Sequence, residues 1–188
     1  MSKVETFTHL HLHTTYSMLD GVGKAKDYAQ RCAELGMQAC AITDHGTMAG
    51  LVEFYTEMTN AGVKPIMGNE MYAVEDMHQR GLTEDERKGL TATEIREKNK
   101  LRLRSPHLLL LAENDIGLRN LFRLNYYANT EGYYGKPRID LDLLEKHSEG
   151  IIATTTCVIS NMARYLQAKQ MDKMTSWFDR MLGIFGED

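Results

Sequence analysis

Apolar and polar positions alternate with two periods along the chain, and these periods predict strands and helices in turn. Residues 7–13 alternate with a period of two, which predicts a strand with three histidines on one face. Residues 24–35 carry apolar side chains at helical spacing, and Gly36 is placed to end that helix. Further strands are predicted at 39–43, 64–74, 108–112 and 150–155, and further helices at 48–60, after the cap Asn114, at 139–146 and twice near the carboxyl terminus.

The order strand, helix, strand, helix repeats about five times, which predicts an α/β fold with a mostly parallel sheet. In such folds the functional groups gather at the carboxyl ends of the strands. Five candidate residues end a strand or follow one, namely His13, Asp20, His45, Glu70 and Cys157. His107 is the exception, because it stands at the start of its strand.

One stretch, residues 76–105, differs in character from the rest of the chain. It has few aliphatic residues and carries eight Lys/Arg and six Asp/Glu. We interpret it as an exposed, partly helical insertion within a single domain of 188 residues.

Composition narrows the possible classes of protein. Hydrophobic residues make up 43% of the chain, which is enough for a sizeable core, and no apolar run is long enough for a membrane helix. The sequence shows no apolar segment of the secretory-signal type near its start, so a cytoplasmic location without membrane contact is expected. The net charge of −4 does not favour non-specific binding of nucleic acid. Three irregularly spaced cysteines form no disulfide framework, and Cys32 and Cys40 are assigned to the core.

Histidine is the residue that points to chemistry. Four of the seven histidines fall within the first 45 residues, in the pattern His9-Leu-His11-Leu-His13 and at His45. Two imidazoles in a His-X-His pair on a strand are about 7 Å apart along the backbone, so both can reach one metal ion. With carboxylates and a thiol nearby, Glu70 could bridge two ions about 3.5 to 4 Å apart, a geometry suited to hydrolysis of phosphate esters.

Each of these signals also has a structural explanation. A single His-X-His is weak evidence, and Asp44-His45-Gly46 could be a turn held by Asp44. Glu70 could be exposed, while His107 and Cys157 could be core residues. The metal-site hypothesis therefore depends on the co-occurrence of these residues at strand ends.

Several motifs in sequence resemble one family, the PHP (polymerase and histidinol phosphatase) domain of the alpha subunit of bacterial DNA polymerase III. They cover nearly the whole chain and favour the replicative polymerase branch over the small phosphatases. The motifs are His9 to Gly21 (HLHLHTTYSMLDG), Ala41 to Gly46 (AITDHG), Lys64 to Tyr72 (KPIMGNEMY), His107 to Ala112 (HLLLLA) and Tyr134 to Asp140 (YGKPRID).

The resemblance implies a distorted seven-stranded β/α barrel with up to three divalent metal ions, zinc or manganese, at the strand ends. It implies three ligand groups: His11, His13 and Glu70 for the first ion, Glu70, His107 and Cys157 for the second, and Asp20 and His45 for the third. It also implies that His9 is not a ligand and that Asp44 orients His45 from behind.

The chain departs from the family pattern at two points. The family closes its site with an Asp-X-His motif, which this sequence lacks before Asp188, and places a glycine before the cysteine, where this chain has Thr156. We therefore expect the domain to stop before its last strands, with about five β/α units, and with ligands missing at the first and third metals.

By resemblance, the expected function is that of the N-terminal PHP part of a replicative polymerase. Such a protein is a DNA-directed DNA polymerase with a metal-dependent 3′–5′ exonuclease site, acting on a primer 3′ end, and the 188 residues alone are expected to be weak or inactive. One alternative is a non-catalytic platform that binds the rest of the polymerase or a proofreading subunit. Two others are a piece of a split polymerase and a free-standing small phosphatase.

Overall fold

A computed structural model of the chain describes residues 7–186, which contain five strands and eight helices. The strands are β1 (Ala39–Ile42), β2 (Lys64–Val74), β3 (His107–Ala112), β4 (Arg138–Asp140) and β5 (Ile151–Thr154). The helices are α1 (Ala25–Glu34), α2 (Leu51–Asn60), α3 (Glu84–Arg87), α4 (Ala92–Arg102), α5 (Asp115–Thr130), α6 (Leu141–Lys146), α7 (Asn161–Gln167) and α8 (Met171–Phe185). Among the described residues, no helix combines the length and the apolarity that a membrane crossing requires.

The sheet has the order β1-β2-β3-β5, and β4 pairs with the carboxyl end of β2. The α/β class is confirmed, but the prediction of a mostly parallel sheet is wrong. The pairings of β2 with β1 and β4 are parallel, whereas β2–β3 and β3–β5 are antiparallel. The reason is the segment before β3: the backbone N–H of Ala73 donates to Pro106 O at 2.8 Å, so the chain re-enters the sheet where β2 ends and runs back along it.

Two predicted elements have different bounds in the structure. Residues 139–140, predicted as the start of a helix, belong to β4 because they pair with Ala73 and Val74 of β2. The helix predicted over 48–60 begins only at Leu51. Asn114 caps α5 as predicted, since its side-chain oxygen accepts the backbone N–H groups of Ile116 and Gly117, both at 3.0 Å.

Apolar side chains form two clusters, one on each face of the sheet. The larger cluster contains Phe54, Met58, Leu121 and Leu124 from the helices, and it includes Cys32 and Cys40, as predicted. The smaller cluster consists of Ala41, Leu109 and Leu111, with Ile66 packed against it. Leu109 pairs with Glu70 across β2 and β3, so the smaller cluster shares its sheet face with Glu70.

Residues 76–105 hold α3 and α4, and most of their side chains are exposed. Met77 belongs to the larger cluster, and the carbonyls of Met77 and Gln79 accept from Arg138, so these contacts attach the stretch to the rest of the domain. Leu82 is also buried. Its stability otherwise depends on local contacts, such as the capping box in which Thr83 and Glu86 exchange hydrogen bonds at the start of α3.

Candidate metal centre

The candidate ligands converge at the carboxyl half of β2, although they come from distant parts of the sequence. His45 follows β1 and forms a parallel bridge with Glu70, where Gly46 N–H donates to Glu70 O at 3.0 Å. His107 begins β3, and the antiparallel register sets it beside Tyr72, two residues beyond Glu70. In the sequence, His107 is the candidate that starts its strand instead of ending one. Because β3 is antiparallel to β2, the start of β3 lies where β2 ends.

Residues 7–13, predicted as a strand, lie along β1 without forming a continuous strand. The carbonyls of His9 and Leu12 accept the N–H groups of Ala41 and Thr43, at 2.8 and 2.9 Å. Between these two hydrogen bonds the segment advances three residues, from His9 to Leu12, whereas its partner advances two, from Ala41 to Thr43. The segment therefore carries one extra residue, as a β-bulge does. The period-two alternation is interrupted there, and the His9 ring packs edge-on against Phe7, 4.8 Å away, apart from His11 and His13.

Glu70 is the centre of the site. Its side chain is 1% exposed. Its Oε2 atom lies 3.4 Å from His11 Nε2, 3.1 Å from His13 Nε2 and 2.9 Å from His45 Nδ1, and its Oε1 atom lies 3.0 Å from His107 Nδ1. One buried carboxylate therefore faces four imidazoles.

The predicted ligands form three groups, each with donor atoms within 4.8 Å of one another. The groups are His11, His13 and Glu70; His13, Asp20 and His45; and His45, Glu70 and His107. Two of them contain the ligand sets that the resemblance implies for the first and third metals, with His13 added to the latter. Asp20 joins through its Oδ2 atom, 2.9 Å from His45 Nε2.

Cys157 lies beside the site but outside these groups. Its Sγ atom is 3.9 Å from His107 Nδ1, and the backbone N–H of Ile159 donates to it at 3.4 Å. Among residues 7–186, no group of three donors within 4.8 Å includes Cys157, so its pairing with Glu70 stays a prediction.

Ser17 determines which nitrogen of His13 carries the proton. The Ser17 hydroxyl donates to Asp44 Oδ1 at 2.6 Å, so its oxygen is left to accept from His13 Nδ1, 3.0 Å away. The lone pair of a neutral His13 then lies on Nε2, which faces Glu70 Oε2. The same nitrogen lies 3.0 Å from His11 Nε2. A lone pair that faces a carboxylate oxygen is repelled by it, and a cation bound between them would remove this repulsion.

Asp44 acts through Ser17 and the backbone. Its carboxylate also accepts from the N–H and the hydroxyl of Thr14, both at 2.7 Å. Ser17 Oγ in turn accepts the backbone N–H of His45 at 3.1 Å. The predicted orienting role of Asp44 therefore extends to the ring of His13, whereas for His45 it reaches the backbone.

Two buried polar atoms at the centre have no hydrogen-bond partner among the described residues. They are His45 Nδ1 and Glu70 Oε2, which lie 2.9 Å apart but are not aligned as donor and acceptor. Buried polar atoms are normally satisfied, and imidazole and carboxylate are ligands of zinc and manganese. The donor set therefore fits a divalent cation.

The close contacts in the site shift the pKa values of Glu70 and His45. Burial alone would raise the pKa of Glu70, but its contacts with His107, His11, His13 and His45 outweigh burial and hold that pKa well below its usual range. The contact with Glu70 raises the pKa of His45 above 6.5, although burial opposes it, and Asp20 acts in the same direction as Glu70. Glu70 is thus an anion at neutral pH.

Sequence reasoning missed Ser17 and the residues at the mouth of the site. Tyr72 stacks on His45, with ring centroids 6.0 Å apart, and its hydroxyl accepts from Lys136 Nζ at 3.2 Å. Ser17 stands four residues after His13, a spacing that has no meaning outside a helix. Tyr72 carries a signal, since it stands two residues after Glu70 on a strand and so shares its face.

Comparison with known families gives a match to the PHP domain over residues 9–188. Among curated proteins, the chain is 36% identical over 191 residues to the DNA polymerase III subunit alpha of Borreliella burgdorferi, which covers 100% of this chain and 15% of that protein. The subunits of Helicobacter pylori (42% identity, 84% of this chain and 12% of that protein) and Mycobacterium tuberculosis (43%, 81% and 13%) are similar. The chain thus spans a small part of these relatives.

Two solved structures show a weaker likeness. A putative metal-dependent phosphoesterase from Bifidobacterium adolescentis has a TM-score of 0.39 at 19% identity, covering 77% of this chain and 51% of that one. An amidohydrolase from Chromobacterium violaceum has a TM-score of 0.38 at 16% identity, covering 92% and 54%. The family assignment rests on the match over residues 9–188.

Proposed function

The chain belongs to the PHP domain family, and on this premise we propose that it carries a divalent-metal site of the phosphoesterase type within a replicative DNA polymerase. The observation that carries the proposal is the lone pair of His13 Nε2, fixed by Ser17 and Asp44 and facing the buried Glu70 carboxylate at 3.1 Å. A divalent cation bound by both groups would remove the repulsion between them.

His11, His13, Asp20, His45, Glu70 and His107 would hold the metal, zinc or manganese, and Cys157 is the further ligand that the family pattern implies. A bound divalent ion supplies a hydroxide near neutral pH and balances charge on phosphoryl oxygens. The chain's own residues orient the ligands: Ser17 sets the tautomer of His13, and burial keeps Glu70 away from water.

The polymerase context is part of the same proposal. The relatives of 36–43% identity are alpha subunits. We infer that this chain works joined to further polymerase sequence, at a primer 3′ end and in the cytoplasm, and that a proofreading exonuclease subunit is a partner. The 188 residues are not expected to polymerise DNA, and a 3′–5′ exonuclease is the activity that the metal site would add.

Metal analysis combined with a hydrolysis assay tests this function. The chain is loaded with zinc or manganese, dialysed and analysed for bound metal, and cleavage of a 3′-labelled DNA strand is followed with and without chelator. A version extended by the downstream polymerase sequence is measured beside it. We expect retained metal in both, lost in His13→Ala and kept in His78→Ala, which removes an exposed histidine outside the three groups. Failure of both chains to retain metal would contradict the proposal.

A second candidate function, a binding platform, is favoured by an apolar groove at the amino end of β2. The groove has a volume of about 560 Å³, and its lining includes Val52, Tyr55 and Phe122, which are 78%, 56% and 49% exposed. Apolar surface of this kind typically marks a contact with another protein segment. His11→Ala with His13→Ala separates the two functions, because a platform keeps its partner binding when metal is lost.

A further inference from the structure

A cavity of about 460 Å³ opens beside the metal site. Asp20, His45 and His107 contribute to its wall, which places it directly in front of the candidate ligands. Two cationic side chains, Lys136 and Arg164, line the same cavity. They come from the loop before β4 and from α7, and the family resemblance assigned neither of them a role.

Lys136 is held in place by its surroundings. Its ammonium donates to the hydroxyl of Tyr72 at 3.2 Å and lies 5.0 Å from the centre of that ring. The backbone on its carboxyl side is fixed by Arg138, whose buried guanidinium donates to the carbonyl oxygens of Gly132, Met77 and Gln79. Lys136 forms no salt bridge among the described residues, so its charge has no carboxylate partner there.

Among the described residues, Arg164 also lacks a carboxylate partner, and one of its donor atoms is buried. Its Nη1 atom is buried and has no hydrogen-bond partner in the described part of the chain, and the side chain forms no salt bridge there. The helix that carries it is anchored, because Asn161 Nδ2 donates to Ala73 O of β2 at 3.0 Å. A buried donor of a charged group costs free energy unless a ligand satisfies it.

We propose that Lys136 and Arg164 form a cation pair that binds the phosphate group of the substrate ester in front of the metal site. The inference rests on the proposed function for its substrate and deepens it by naming the residues that hold the anion. Arginine presents a planar fork of donors that matches phosphate oxygens, and lysine adds a point charge. Asp20 is the carboxylate in the cavity wall, and it is already engaged with His45 at 2.9 Å.

Titration with inorganic phosphate tests the cation pair. Calorimetry is carried out on the zinc-loaded chain after removal of free zinc, and separately on the chain in chelator. We expect Lys136→Met and Arg164→Met each to weaken phosphate binding about tenfold or more, with zinc content unchanged, because each removes a charge-assisted hydrogen bond. Lys136→Arg should retain most of the affinity. Lys98→Met and Arg119→Met, which change exposed cations outside the cavity, should bind phosphate like the parent.

The outcomes separate this inference from the proposed function. Unchanged phosphate affinity in Lys136→Met and Arg164→Met, with zinc still bound, would overturn the cation pair and leave the metal site standing. If the chain retains no zinc, the titration in chelator decides the pair by itself: weakening by both substitutions supports it, and equal or absent binding overturns it. The proposed function fails separately, when neither the chain nor its extended version retains zinc or manganese. Acetate binding as tight as phosphate binding would also overturn it, since the assignment is to a phosphate.

Discussion

The candidate metal centre and residues 76–105, the predicted insertion, are both rich in polar side chains, but their contacts differ in kind. In the metal centre, the contacts join residues far apart in sequence, such as His107 and Glu70 or Thr14 and Asp44. In the insertion, many contacts link residues three apart, such as Asp85 and Lys88. The first region is buried at its centre, and the second is mostly exposed.

This difference decides how each region should respond to change. A local contact between exposed groups contributes little, because water and salt screen it and because the unfolded chain is close to forming it. A buried contact that the sheet register imposes is costly to break, since it leaves its partners without water or replacement. We expect substitutions in the metal centre to have large effects and those in the insertion to have small ones.

The largest effect is expected from Glu70→Gln. The substitution keeps the volume but removes the charge that faces four imidazoles, so metal affinity should fall more than about a hundredfold, beyond the 10- to 100-fold typical of residues behind the ligands. Competition with a chelating dye measures the affinity. Glu53→Gln, which changes the exposed partner of Tyr16, is the matched control. Equal metal affinity in both variants would contradict the central role of Glu70.

The next largest effect is on folding and comes from Asp44→Asn. The Asp44 carboxylate is buried and accepts three hydrogen bonds, and an amide cannot accept all of them, so we expect a loss of about 2 to 4 kcal/mol in the free energy of unfolding. Urea denaturation of the metal-free chain gives the value. Asp27→Asn on α1, where the carboxylate is exposed, should cost far less.

Arg138→Met tests whether the insertion depends on its attachment to the sheet through β4. Its guanidinium is buried and donates to Gly132 O and Met77 O, near the two ends of the connection between β2 and β4. The substitution removes the side-chain donor of Gly132 O and leaves Met77 O with Arg80 as its side-chain donor. We expect a cost of about 2 to 3 kcal/mol and faster proteolysis within 76–105. Unchanged cleavage would show that the insertion is held independently of the sheet. Arg96→Met, on an exposed position of α4, is the control.

Within the insertion, Thr83→Ala removes the cap of α3. The threonine side chain accepts the backbone N–H of Glu86 at 3.3 Å, and the loss of such a cap typically costs about 1 kcal/mol. Because α3 contributes no buried residue, the change should appear as local hydrogen exchange more than as a shift in melting temperature. A large fall in melting temperature would contradict the local character of this region.

The smallest effect is expected from Lys88→Ala. Its ion pair with Asp85 joins side chains that are 77% and 87% exposed, so the free energy of unfolding should change by less than about 0.5 kcal/mol. The free energy of unfolding of the parent and of Lys88→Ala is measured over a range of salt concentrations to check this value. An effect as large as that of Asp44→Asn would remove the distinction between the two regions.

Sequence patterns predicted which residues belong to the site but not the contacts that join them. His-X-His, Asp44-His45 and Glu70 stand out because their residue types and positions after strands are visible in one dimension. Lys136 and Arg164 do not, because their roles arise only when the loop before β4 and α7 are brought against β2. Ser17 does not either, because its role depends on its contact with Asp44, which follows β1. The antiparallel β3 was missed for the same reason, since periodicity reports which residues share a face and not the direction of the neighbouring strand.

The sequence by itself determined the family, the α/β class, most strands and helices and the residues that meet at Glu70, because residue chemistry and hydrophobic periodicity are local properties. The tertiary structure decided the mixed sheet, the extra residue between His9 and Leu12 that separates His9 from the cluster, and the hydrogen-bond chain from Asp44 through Ser17 to His13. These features depend on strand register and on contacts such as that of Ser17 with Asp44, 27 residues apart, which no local pattern encodes.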